Sequence, residues 1–143
     1  ASVHLEALPD ISPAYQDTLL RKRWGTILAL RSDVSRALEA ARQAKVIGHS
    51  LDARVTLGLP ENLSGTFTGQ EELLSTVCIV SQTFLASTSD LLDNAIEGTA
   101  IPGLRILVET AKGAKCERCW IYEESVGADQ RHPTVCGRCL LNL

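Results

Sequence analysis

A chain of 143 residues, 45% hydrophobic and 22% charged, can build one ordinary domain, or a smaller domain with an appendage. No apolar run approaches the ~18 residues of a membrane span, and no targeting segment, P-loop, G-x-S-x-G or H-E-x-x-H motif occurs. The formal charge of −3 conceals a segregation, with eight of the fourteen Lys and Arg residues between Arg21 and Arg54, none from Val55 to Leu104, and six from Arg105 to Arg138. This pattern suits a polyanion that meets the two ends rather than the middle, and equally a solvated helix face. Methionine is absent even at position 1, so a fragment or a processed product is expected.

Residues 1–12 read as an extended lead-in broken by Pro9. Ser12 followed by Pro13 is an N-cap and first-turn pair, and Trp24, Ile27, Leu28, Val34, Leu38 and Ala41 then recur at helical spacing. Gly48 is the expected stop, and His49 is placed to meet the helix C-terminal dipole. Such a helix, nearly 35 residues long, must pack against something else or break near Gly25. The alternation in Leu51–Leu59 predicts a half-buried strand. Residues 60–69 read as a loop and 70–75 as one or two helical turns. The apolar run 76–84 reads as a buried strand containing an inert Cys78, and 90–97 as a short helix. A turn at Ile101–Gly103 then leads into a strand at 104–110.

The most informative residues lie at the C-terminal end. Cys116-Glu117-Arg118-Cys119 and Cys136-Gly137-Arg138-Cys139 are two C-x-x-C pairs with sixteen residues between them, inside the spacing of zinc sites. Two intervening residues let one turn aim both sulfurs at one ion, and the second pair completes a thiolate tetrahedron at about 2.3 Å. Gly137 supplies a residue free to take positive φ in the second turn. Two disulfides would leave a fifth cysteine over, and a thioredoxin-like motif needs only one pair. A rubredoxin-like iron centre uses the same four ligands. A closed shell of four cysteines has no open position for water, so the expected role is structural, with one Zn2+. The expected fold class is α+β: a long N-terminal helix (1–48), a small mixed α/β unit with about three strands (49–112), and a C-terminal four-cysteine zinc-finger module (113–143).

Around the ligands, Arg118 and Arg138 occupy equivalent positions and can offset the negative charge of a zinc tetrathiolate. With Lys112, Lys115 and Arg131 they can also reach nucleic-acid phosphates. Trp120 can stack on an unpaired base, or cap a small metal-centred core. His132 is a spare ligand type beside an already complete shell, and Glu123-Glu124 reads as solvated.

The stretch from Ala114 through Cys116-Glu117-Arg118-Cys119-Trp120 to Cys136-Gly137-Arg138-Cys139, passing Val126-Gly127 and His132-Pro133-Thr134, resembles the C-terminal zinc module of bacterial-type isoleucyl-tRNA synthetases. Upstream, Ser2-Val3-His4-Leu5, Trp24, Leu30-Arg31, Leu38-Glu39-Ala40-Ala41-Arg42 and Lys45-Val46-Ile47-Gly48-His49-Ser50-Leu51-Asp52-Ala53 resemble the same enzymes. Ile121 stands where the family often has His. The resemblance implies a C-terminal appendage of a cytoplasmic or organellar ligase that charges tRNA(Ile) with isoleucine using ATP. On that reading the adenylating and editing sites lie upstream, residues 1 to about 48 close a helical anticodon-binding region, and the zinc module engages the anticodon side of the tRNA. The partners are then tRNA(Ile) and the remainder of the parent chain, with no membrane and no DNA. The alternative reading of the residues is a purely structural zinc staple; the related finger of formamidopyrimidine-type DNA glycosylases is a poor match. The glycosylases need an N-terminal proline and a helix–two-turn–helix, whereas here an acidic, strand-forming region precedes the finger.

Overall fold

A computed structural model describes residues 2–87 and 94–143. Helix α1 spans Thr18–Gln43 and starts at Asp17, whose carboxylate accepts the Leu20 N–H at 2.9 Å. Ser12 and Pro13 do open a helical turn, but it is a separate 3-10 turn, Pro13–Tyr15, that ends before α1. The helix runs through Gly25 without a break and stops earlier than Gly48. Lys45 takes φ 59, and the Lys45 and Val46 amides bond back to Arg42 O and Ala41 O. His49 does not serve that helix end: its Nε2 lies 3.1 Å from an Asp52 carboxylate oxygen, and Asp52 also accepts the Gly48 and His49 amides.

The buried face of α1 is Ile27, Leu30, Val34, Ala37, Leu38 and Ala41, the three- and four-residue steps of one helical stripe. It packs on a four-stranded mixed sheet in the order β2 (Gln82–Ala86), β1 (Ala53–Gly58), β4 (Arg105–Thr110), β3 (Ile96–Glu97). Strand β1 (Ala53–Gly58) follows a 3-10 turn at Ser50–Asp52 and points Ala53, Val55 and Leu57 into the core. It runs parallel to β2 (Gln82–Ala86) and antiparallel to β4 (Arg105–Thr110), which pairs with the two-residue edge strand β3 (Ile96–Glu97). The mixed α/β class is as expected, with this short edge strand raising the sheet from about three strands to four.

A parallel β1–β2 pair requires a crossover, and two helices supply it. Residues 60–69 are therefore not a loop: α2 occupies Glu61–Phe67 and buries Phe67. Helix α3 spans Glu71–Cys78, so the run 76–84 is half helix and half strand. Leu74 and Cys78 are buried four residues apart, and Ile79 at φ 57 ends the helix. A continuous apolar run cannot distinguish a helix end from a strand by periodicity. Of the helix expected at 90–97, residues 90–93 lie outside the described part, and Ile96–Glu97 is strand. Cys78 is buried as expected, and burial pushes its thiol up to about 11.

One buried charge ties α1 to the turn between β3 and β4. Asp33, 1% exposed, accepts the amides of Thr99 (2.8 Å), Ala100 (3.0 Å) and Ile101 (2.9 Å) and the Thr99 hydroxyl (3.0 Å). Burial would raise its pKa, but the amides of Ala100, Thr99 and Ile101 outweigh that and hold it below 3.8. Gly98 is required beside this clamp, since a Cβ there would stand 2.6 Å from Ile101 O and 2.8 Å from the Asp33 carboxylate. Arg36 extends the clamp by donating to Glu97 O.

Candidate metal centre

After β4 the chain turns into a second, smaller core made of cysteines with Ile121, Val126 and Val135 around them. It is opened by the hairpin β5 (Ala114–Lys115) and β6 (Tyr122–Glu123). Gly113 at φ 91 lets the backbone pass the partner strand, because a Cβ would lie 2.6 Å from Glu123 O. The first knuckle closes where the Trp120 N–H donates to Cys116 O at 2.8 Å and the Cys116 N–H to Ile121 O at 2.9 Å. The second is Cys136 followed by the short helix α4 (Gly137–Leu140). A bond from Glu117 N–H to Thr134 O, 3.0 Å, holds the two knuckles together.

The ligand atoms of Cys116, Cys119, Cys136 and Cys139 all lie within 4.8 Å of one another. The Cys119 and Cys136 sulfurs are 3.7 Å apart, which matches the ~3.8 Å edge of a tetrahedron with ~2.3 Å metal–sulfur bonds. The Cys136 N–H points at the Cys116 sulfur at 3.4 Å. Burial raises the Cys116 thiol, but the amides of Cys119, Cys136 and Arg118 outweigh it and bring the pKa down to about 6. Burial and the crowding of the other sulfurs push Cys136 up to about 12 and raise Cys139. Four sulfurs this close cannot all ionise by themselves, and a divalent cation is the charge they lack. With every ligand a thiolate and three of the four cysteines buried, the site fits a structural zinc.

The expected helper residues divide into two groups. Arg138 faces the cluster, where the Cys119 sulfur foremost, with Cys136 and Cys139 adding to the field, raises its pKa. Arg118 donates to Cys139 O at 3.0 Å. Both arginines are thus engaged with the knuckles. Lys112, Lys115, Trp120 and Arg131 are exposed. Trp120 does not cap the metal core: it is 60% exposed, and the Lys115 ammonium lies 5.6 Å from its ring centre. Its backbone sits at φ 68, the left-handed region. That position, rather than Gly137, is where the knuckles bend with positive φ. Gly137 is useful for close approach instead, its N–H donating to Ser125 Oγ at 2.8 Å. Arg131 pairs with Asp129 at 3.3 Å, and His132, exposed, stands outside the cluster.

Contacts that no local pattern announces join this module to the sheet. Gln82 accepts the Lys112 N–H at 3.1 Å and donates to Lys112 O at 2.9 Å. Ser81 Oγ accepts the Tyr122 N–H at 2.7 Å and donates to Leu51 O at 2.5 Å. The N-terminal basic segment is also largely committed. Arg23 donates to Gln70, Arg31 to Val77 O and Arg42 to Glu39, while Arg54 stacks 4.5 Å over the Phe84 ring.

A sheet-tied four-cysteine finger of two C-x-x-C knuckles defines the class of module. Residues 113–142 match the family described as "Zinc finger found in FPG and IleRS". Nearly the whole chain is also similar to isoleucine–tRNA ligases. It is 47% identical to that of Geobacter sulfurreducens over 97% of this chain, 44% to that of Syntrophotalea carbinolica over 97%, and 43% to that of Desulfitobacterium hafniense over 96%. Nearly the whole chain is thus similar to the C-terminal region of isoleucine–tRNA ligases, and it spans about 15% of the length of these relatives. Among the described residues no helix is long and apolar enough to cross a membrane.

Proposed function

We propose that this chain is a tRNA-binding appendage of an isoleucine–tRNA ligase, engaging the anticodon side of tRNA(Ile) through its zinc module. The observation that carries the reading is Trp120: a large aromatic ring held at the protein surface, in a backbone conformation that disfavours it, beneath a lysine ammonium. Lys112 and Arg131 are exposed in the same module. An exposed ring with cations about it is what stacking on an unpaired base and holding its phosphates require. The zinc and the two engaged arginines keep the platform rigid. Charging of the tRNA with isoleucine and ATP falls to the rest of the parent ligase, in the cytoplasm or in an organelle's stroma or matrix. The exposed apolar side chains Val3, Leu5, Leu8, Ile11, Tyr15 and Leu19 give the N-terminal segment a surface on which that remainder can pack.

A second reading, a zinc staple that docks the C-terminus without touching RNA, is favoured by the Ser81 and Gln82 contacts to the module. The two separate in a Lys112→Ala/Arg131→Ala variant that leaves every cysteine in place. A loss of tRNA binding of about tenfold or more, the effect of removing about 1.4 kcal/mol, with zinc content and unfolding midpoint unchanged, supports the platform. Unchanged binding supports the staple.

A further inference from the structure

Between α3, β2 and the zinc module runs an open groove of about 450 Å³, within the size range of ligand sites. Ile79 and Phe84, 52% and 44% exposed, line it together with Ile121. Its carboxylates are Glu71, Glu72 and Glu123, and its one cation, Arg138, is turned to the Cys119 sulfur. Phosphate would meet uncompensated negative charge here, so this is not a continuation of the RNA-facing surface.

Two further observations say what kind of group belongs in it. Strand β2 forms one side, and among the described residues it has a sheet neighbour only on its β1 side. Its first residue, Gln82, is tied to the zinc module, and among the described residues no strand pairs with the outer edge of 83–86. Thr83, which lines the groove, is 7% exposed, and its hydroxyl has no hydrogen-bond partner. A buried hydroxyl left unsatisfied is unfavourable, so this side of the groove carries a polar group that the fold itself does not pair.

The geometry points to an interaction surface for an extended, basic segment of a partner protein, added as a strand along the free edge of β2. Its backbone pairs with 83–86, an apolar side chain rests on Ile79 and Ile121, and Lys or Arg side chains meet Glu71, Glu72 and Glu123. Strand addition takes affinity from main-chain bonds and selectivity from alternate side chains, and this groove's selectivity is for positive charge. Arg54, which stacks on the groove residue Phe84, is already committed and lies 3.9 Å from Glu109.

The test uses the zinc-loaded, 15N-labelled chain with two synthetic peptides, acetyl-Lys-Val-Lys-Val-Lys-amide and its Glu-Val-Glu-Val-Glu counterpart. The expected result is saturable shifts of the 83–86, Ile79 and Ile121 amides with the lysine peptide alone. Affinity should fall about tenfold or more in Glu71→Lys/Glu72→Lys, whose changes lie on a helix surface, since like charges are then juxtaposed. Equal shifts with both peptides, shifts elsewhere, or none at millimolar peptide would overturn the proposal. So would shifts of the same amides produced by raising the protein concentration alone, or by a single-stranded RNA.

Discussion

Replacing Trp120 by Ala and by Gly separates what its ring does from what its backbone bears. Both variants delete the same side chain, so the lost contacts and the lost Lys115 interaction cancel between them. They differ in the backbone at φ 68. An L-residue in the left-handed region costs roughly 1–2 kcal/mol, from which glycine's greater entropy loss on folding, roughly 0.5–1 kcal/mol, is subtracted. Trp120→Gly should therefore be more stable than Trp120→Ala by about 0.75 kcal/mol at the middle of these ranges, and by about 1.5 kcal/mol at most, in urea unfolding of the zinc-saturated proteins. For tRNA the two should be alike. A base stacked on an aromatic ring is worth about 1–3 kcal/mol, a weakening of roughly 5- to 150-fold. The assay is a pair of measurements on the same preparations, urea unfolding and tRNA titration by fluorescence anisotropy. Alanine as stable as glycine would refute the backbone argument. Wild-type affinity in either variant would refute the stacking platform.

Zinc removal should act on one part of the chain. Chelation should collapse residues 113–143, where binding contributes about 10–16 kcal/mol to zinc-finger folding, while α1 and the sheet keep their circular dichroism; loss of both together would contradict two separate cores. Arg138→Gln should weaken zinc about tenfold or more, the usual effect of losing a group that supports a ligand, as read in a chelator competition; an unchanged affinity would mean that Arg138 does not stabilise Cys119. Asp33→Ala leaves the buried Ile101 amide without its acceptor, while the exposed Thr99 and Ala100 amides can turn to water, so the cost should be about 3 kcal/mol in urea unfolding. Because the folded pKa of Asp33 is depressed, its contribution should be full above the ordinary carboxylate value of 3.8 and lost as pH falls through the lowered folded value. A wild-type chain whose stability does not respond to acid more steeply than that of Asp33→Ala would count against the clamp.

The metal site is legible in the sequence because its constraint is local: two knuckles and one spacing, with the chemistry of sulfur deciding the rest. Strand β1 is legible through its alternation, and α1 through its stripe. Helix α2 is hidden because Gly65, Ser64 and Thr68 read as loop, while its one buried anchor, Phe67, finds its neighbours only in the tertiary structure. The boundary at Ile79 is hidden inside an apolar run that both elements share. The basic cluster of α1 carries a misleading signal. Arg23, Arg31 and Arg36 reach residues 46 to 61 positions away, contacts that charge along a sequence does not encode. Trp120's exposure is equally invisible, since a residue beside a ligand cysteine can point inward or outward.

The central claim, a zinc-organised surface that meets tRNA, is tested most directly by titrating the zinc-loaded chain with tRNA(Ile) and a non-cognate tRNA at two salt concentrations. Tighter binding of tRNA(Ile), weakening as salt rises and abolished in Cys116→Ser, is the predicted result. No binding by a chain whose zinc content and fold are verified, or equal binding by Cys116→Ser, would contradict it.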